Sequence, residues 1–209
     1  MRYYPVMLDI RDQPVCVVGG GSVALRKARS LRKAGSRVRV VAPVLCAGMA
    51  AFVRLPGVVW DKRRYHTGML KDARLVIAAT DDPGVNSLIS ADAQRAAVPV
   101  NVVDVPALSD FIVPSVLEKD GFMLAVSTSG KAPSFARMVR LDLAKDIFPR
   151  YARQAKALAS ARVRVRNAVS SFGVRKAVLA QLCRLAGRGN ACPRAVIDRV
   201  IAQKSKRNT

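Results

Sequence analysis

Short β-branched runs alternate with amphipathic stretches through the first half of the chain. Val15-Cys16-Val17-Val18 reads as a buried strand, and the apolar positions Ala24, Leu25, Ala28 and Leu31 then fall on one face of a helix that Gly35 ends. Arg37-Val38-Arg39-Val40-Val41-Ala42-Pro43 is a second strand, stopped by proline. Leu75-Val76-Ile77-Ala78-Ala79-Thr80 is a buried strand running into the turn Asp81-Asp82-Pro83-Gly84. A helix from about Val85 to Ala97 leads to a further strand over Val98-Pro99-Val100-Asn101-Val102-Val103. Repeated strand-helix-strand units predict an α/β fold: a Rossmann-type parallel sheet with helices on both faces. Ligands on such sheets bind beyond the carboxyl ends of the strands, so the turns after Val18, Val41, Ala79 and Val103 are expected to border a common crevice.

The pattern changes after Asp110. Phe111 to Leu117 and Phe122 to Ser127 read as two strands joined by the turn Glu118-Lys119-Asp120-Gly121, and Pro133 then opens a helix carrying Phe135, Met138, Val139 and Leu143. This is a small α+β unit suited to association. From about Phe148 onward the chain reads as basic, alanine-rich helices. The expected division is therefore residues 1–110, 111–147 and 148–209.

The turn after the first strand carries chemistry. Gly19, Gly21 and Ala24 supply the G-x-G-x-x-A spacing between a strand and a helix. Gly19 permits the turn, Gly21 has no Cβ to keep the backbone from a pyrophosphate, and the small Ala24 lets the helix pack close to the strand. A tight turn in another kind of α/β protein would share this pattern, so the spacing alone leaves both readings open. One departure is evident: no acidic residue stands at Val41-Ala42-Pro43-Val44, where a carboxylate commonly binds the ribose hydroxyls. Backbone around Pro43 takes over that role in our reading. Arg37 and Arg39 raise the possibility of a 2′-phosphate, but they precede the strand end and fit solvent-facing positions equally; NAD is the preferred cofactor.

Charge adds a constraint. The net charge is +22, and it is uneven: residues 1–113 carry 16 Lys/Arg against 9 Asp/Glu, residues 114–209 carry 20 against 5. Such a field attracts anions, nucleic acid or a small polycarboxylate among them. Aromatic residues in the basic half are isolated, Tyr151 for example, which argues against a base-stacking platform and makes nucleic acid an unfavoured partner. The apolar runs have strand length and Met1-Arg2-Tyr3-Tyr4-Pro5 lacks a signal-peptide core, so no membrane contact and a cytoplasmic location are expected. Cys16, Cys46, Cys183 and Cys192 contain no C-x-x-C pair and read as reduced thiols, with a Cys183–Cys192 disulfide the less favoured alternative. With His66 the only histidine, following Lys62-Arg63-Arg64-Tyr65 away from the crevice turns, no metal site is expected.

Taken together, several blocks resemble the dehydrogenase/ferrochelatase of siroheme synthesis, the precorrin-2 dehydrogenase family that also forms the N-terminal part of siroheme synthases. They are Tyr4-Pro5-Val6-Met7-Leu8, Val17-Val18-Gly19-Gly20-Gly21 with Ala24 and Arg26-Lys27, Val40-Val41-Ala42-Pro43, Ala78-Ala79-Thr80-Asp81-Asp82, Asn86, Asn101-Val102-Val103-Asp104, Phe111-Ile112-Val113-Pro114-Ser115, and Ala125 to Gly130 through Pro133 and Ala136-Arg137. The landmarks keep the family's order over roughly residues 4 to 145. The resemblance implies an NAD-binding Rossmann domain, a dimerisation domain and a C-terminal helical domain. It implies NAD-dependent oxidation of precorrin-2 to sirohydrochlorin, a homodimer and, in some members, insertion of ferrous iron as a second substrate.

By the same resemblance Asp104 matches the catalytic aspartate, Ser22 and Val23 the cofactor-binding positions after the glycines, and Pro43 and Val44 those beyond the second strand. Read from the residues alone, Asp104 suits a proton acceptor at a strand end or a turn aspartate before Pro106. Thr80 and Asp81 suit either a cofactor contact or the cap of the following helix. Ser127, Thr128 and Ser129 form a polar turn before a helix where substrate carboxylates are expected to bind, with Lys131 and Arg137 as cationic partners. Thr128 falls where family members can carry a regulatory phosphoserine. The competing reading is a dinucleotide-sensing regulator whose basic tail binds nucleic acid.

Overall fold

In a computed structural model, which describes residues 2–187 and 194–206, the chain divides into two compact units, Met1–Val113 and Pro114–Thr209. The first holds β1 (Pro14–Val18), α1 (Ser22–Lys33), β2 (Arg37–Val41), α2 (Ala47–Phe52), β3 (Val58–Asp61), β4 (Leu75–Ala78), α3 (Pro83–Arg95) and β5 (Val100–Val102). The strands form one parallel sheet in the order β3-β2-β1-β4-β5. Alternation along each strand divides the core between the two faces. Val15, Val17, Val38, Val40, Leu75 and Ile77 pack with Ala24, Leu25 and Ala28 of α1 and with Met49 and Phe52 of α2. Cys16, Val18, Val76, Ala78, Val100 and Val102 point the other way and pack with Ile89 and Ala93 of α3. This is the doubly wound arrangement expected from the strand-helix alternation. Burial also pushes the Cys16 thiol up to about 11, as suits a packing residue.

Several boundaries differ from expectation. The helix after the third predicted strand starts at Pro83 rather than Val85, because the Asp82 carboxylate accepts the backbone N–H groups of Gly84 at 2.8 Å and Val85 at 3.1 Å. α2 and β3 were not anticipated: one has six residues and the other four, too short for a periodic signal. Phe111 to Val113 is not strand, and the hairpin begins only at Ser115. Phe111 instead packs against the first core while its carbonyl accepts the Asn101 side-chain amide at 2.9 Å. The preceding residues close the sheet edge, with Asp110 Oδ2 accepting from Val100 N at 3.0 Å and Ser109 Oγ accepting from Val102 N at 2.9 Å.

The second unit is built on an antiparallel hairpin, β6 (Ser115–Lys119) and β7 (Phe122–Val126), followed by α4 (Pro133–Lys145), α5 (Ile147–Ala168), α6 (Phe172–Gly187) and α7 (Arg194–Lys206). Asp120 and Gly121 both have positive φ, 52° and 80°, the conformation a two-residue hairpin turn requires. Phe122 meets Phe148 of α5 with ring centroids 5.4 Å apart. Ala161, Val165, Val178, Leu182, Ile197 and Val200 then make a separate core among α5, α6 and α7. Cys16, Cys46 and Cys183 are free thiols, and Cys192 lies outside the described residues. Among the described residues no helix is long and apolar enough to cross a membrane.

Candidate functional site

The strand order reverses between β1 and β4, and a cavity of about 570 Å³ opens at that switch point. Its wall includes Gly19, Gly20 and Gly21 after β1, Pro43 and Val44 after β2, and Thr80 and Asp81 after β4. Three of the four expected turns therefore meet. The fourth, after Val103, does not line this cavity.

The three glycines do different work. Gly19 has φ 129° and donates its N–H to the Val41 carbonyl at 2.9 Å; a Cβ here would overlap the Ala79 carbonyl. At Gly20 a Cβ would overlap the Val44 carbonyl, and the Gly20 carbonyl accepts from Cys46 N at 2.9 Å. Gly20 was not singled out from the sequence, although the run of three glycines was the available signal. Gly21 is the open position: a Cβ would meet nothing within 4 Å, and it caps α1 without any side-chain hydrogen bond. The cradle fits a dinucleotide pyrophosphate, because backbone fills two glycine positions, while the third borders open space where the α1 N–H groups begin. Ala24, fully buried, keeps α1 against the sheet.

Opposite the glycines, the β4 loop is held by α3. The Thr80 hydroxyl donates to Asn86 Oδ1 at 2.8 Å and Asn86 Nδ2 donates to the Thr80 carbonyl at 3.0 Å. Asp82 supplies the helix cap, so Thr80 acts as a brace and Asp81 takes no part in these bonds while lining the cavity. Asn86 is a buried site-shaping residue that sequence reasoning recorded only as a family landmark.

The segment after β3 brings unexpected residues to the site. Arg64 and Tyr65 line the cavity, whereas His66, which follows them, does not. Unforeseen β3 is the reason: Asp61 pairs with Val41, the Ala42 N–H donates to the Asp61 carbonyl at 3.2 Å, and the Trp60 indole donates to the Ala42 carbonyl at 2.9 Å. Tyr65 OH donates to the buried Asp92 at 2.7 Å; desolvation and this bond push its pKa well above the usual tyrosine range. His66 is exposed, with Nδ1 3.0 Å from the Thr67 carbonyl.

The remaining candidates sit elsewhere. Ser22 and Val23 occupy the first turn of α1 without lining the cavity. Asp104 is exposed in the turn after β5, with φ 61°. Half-buried Lys27 on α1 lies within electrostatic reach: desolvation and Arg26 hold its pKa below the usual lysine value, and the Asp104 carboxylate opposes them. Ser127, Thr128 and Lys131 lie in the loop between β7 and α4, where Thr128 Oγ1 accepts from Ala132 N at 2.9 Å; Arg137 is exposed on α4.

A parallel sheet with a glycine cradle at its switch point defines a dinucleotide-binding protein of the doubly wound class. A family model described as "Putative NAD(P)-binding" matches residues 6–115. The chain is 48% identical over 143 residues to a siroheme synthase of Pseudomonas putida (strain W619), covering 68% of this chain and 31% of that one. It is 37% identical over 207 residues to a siroheme synthase of Pseudomonas fluorescens (strain SBW25), covering 96% and 45%. A solved structure of SirC, precorrin-2 dehydrogenase, has the same fold, with TM-score 0.76 at 21% identity over 98% of this chain and 100% of that one. The chain belongs to this NAD(P)-binding family, and its sequence is similar to those of siroheme synthases. It spans less than half the length of the siroheme synthases it matches.

Proposed function

We propose that this chain oxidises precorrin-2 to sirohydrochlorin with NAD and, as a second activity, inserts ferrous iron into the product. The observation that carries the reading is the open glycine cradle at the β1/β4 switch point in a chain similar to siroheme synthases along most of its length. Gly19, Gly21, Pro43, Val44, Thr80 and Asp81 hold the dinucleotide, and Ser22 and Val23 border its pyrophosphate from the first turn of α1. When bound, NAD supplies the hydride acceptor.

Asp104 accepts the proton that the substrate loses. An exposed carboxylate in a strand-end turn is free to reach a bound ligand. Iron insertion displaces two pyrrole protons, and the same exposed carboxylate takes them one at a time, passing the first to solvent water before accepting the second. Ferrous iron is bound by the tetrapyrrole nitrogens; among the described residues no cluster of His, Cys, Asp or Glu could hold a metal. Ser127, Thr128, Lys131 and Arg137 take the carboxylates of the substrate, whose eight negative charges suit a chain of net charge +22.

A homodimer completes the proposal, with the second unit divided into a dimerisation part up to residue 147 and a basic helical part from 148. Val116 and Met123 on the hairpin and Phe135, Met138 and Leu141 on α4 are exposed apolar side chains, and a two-stranded sheet is marginal by itself. Light scattering of the Met138→Glu variant is expected to show monomer where the parent chain shows dimer. A cytoplasmic location accords with these substrates.

Anaerobic mixing with precorrin-2 and NAD is expected to generate NADH absorbance, abolished in Asp104→Ala. Separate addition of sirohydrochlorin and ferrous iron, without NAD, is expected to give the siroheme spectrum. Unchanged NADH formation in Asp104→Ala overturns the catalytic assignment.

A further inference from the structure

The adenosine end of the cavity lacks the acidic residue that would select an unphosphorylated ribose. After β2 the chain runs Ala42-Pro43-Val44, and this turn offers no carboxylate to the ribose hydroxyls. The nearest acid by sheet register, Asp61, is paired with Arg63.

Among the described residues, basic side chains around this turn other than Arg64 have partners, Lys62 Nζ lying 5.6 Å from the centroid of the Trp60 ring. Arg37 stands at the opposite end of β2, its Nε donating to the Asp12 carbonyl at 3.0 Å, and Arg39 donates to the Met69 carbonyl. Arg64 is exposed, lines the cavity and has no carboxylate partner among the described residues. Its backbone is placed beside the β2 turn because β3 pairs with β2 up to Val41 and Asp61, with the Arg63 N–H then donating to the Asp61 carbonyl at 2.8 Å. A free guanidinium beside a ribose site without a carboxylate is the arrangement that accommodates a 2′-phosphate.

We propose that the cavity accepts a 2′-phosphorylated dinucleotide, NADP, as well as NAD, and that the Arg64 guanidinium pairs with the 2′-phosphate. The inference rests on the dinucleotide-site reading. It adds that cofactor choice is set by a residue after β3 rather than at the end of β2.

Calorimetric titration of the full chain with NAD and with NADP, repeated on Arg64→Gln and Arg64→Lys, tests this. NADP binding to the parent chain is expected to weaken with added salt more steeply than NAD binding. Arg64→Gln is expected to raise the ratio of NADP to NAD dissociation constants about tenfold, and Arg64→Lys to restore part of the loss. If NAD binds and NADP does not, or if the ratio is unchanged in Arg64→Gln, the proposal is overturned. Should the variants fail to fold, the parent chain's two affinities and their salt slopes decide it. Failure of both dinucleotides to bind overturns the site reading itself.

Discussion

Thr80 and Asn86 are tied by three hydrogen bonds, Thr80 hydroxyl to Oδ1 at 2.8 Å, Thr80 N–H to the same Oδ1 at 3.4 Å and Nδ2 to the Thr80 carbonyl at 3.0 Å, and this pair sets the cavity edge opposite the glycines. Asn86→Ala leaves the Thr80 carbonyl and hydroxyl without these partners. We expect a stability loss of about 1–2 kcal/mol and NAD binding weakened by about tenfold, measured by urea denaturation and calorimetry. Unchanged affinity would show that the β4 loop keeps its shape without the brace.

Adjacent glycines are expected to respond differently to alanine. Gly20→Ala forces a methyl group against the Val44 carbonyl, so the loop after β2 must move; the thermal midpoint should fall, with a cost of about 1–3 kcal/mol. Gly21→Ala meets open space and should leave the fold intact while weakening dinucleotide binding, because the methyl occupies the approach to the pyrophosphate. Equal melting curves for the two variants would contradict this division.

Tyr65 anchors the segment after β3 to α3 through Asp92, whose carboxylate also takes Arg95 Nη2 at 2.5 Å. Tyr65→Phe removes the hydroxyl donor to buried Asp92 and keeps the ring. The expected cost is about 1–2 kcal/mol in urea denaturation.

Lys27 and Asp104 give a pH prediction. Desolvation, then Arg26, lowers the folded Lys27 pKa below its unfolded value, with Asp104 as the opposing influence. Below the folded pKa the lysine is charged in both states and its burial costs stability; that cost is relieved as pH rises through the folded value toward the unfolded one. Asp104→Asn removes the opposing carboxylate, so the Lys27 titration should move to still lower pH. NMR of ¹³C-methylated lysines reads this directly, and an unmoved Lys27 would contradict the coupling.

Cys16 lies fully buried in β1 with its thiol pushed up to about 11, chiefly by desolvation. Peptide mapping after iodoacetamide treatment near neutral pH should find it unmodified in the native chain and modified after denaturation, while exposed Cys183 reacts readily.

Alternation of β-branched runs with helical periodicity was enough to expect the doubly wound sheet, because strands buried on both faces must be apolar throughout and their crossovers amphipathic. The glycine turn was legible at Gly19 and Gly21 from their spacing before a helix, whereas the need for glycine at Gly20 comes from the Val44 carbonyl that the fold brings against it. Other features depended on the third dimension. β3 has four residues with no distinctive pattern, and only pairing with β2 brings Arg64 and Tyr65 to the cavity. Asp82 rather than Thr80 or Asp81 caps α3 because the turn directs its carboxylate onto the first free N–H groups. Local sequence thus determined which segments become strands and helices and where backbone must approach backbone. Strand neighbours, and the side chains they carry to the cavity, were decided by long-range packing that no local pattern encodes.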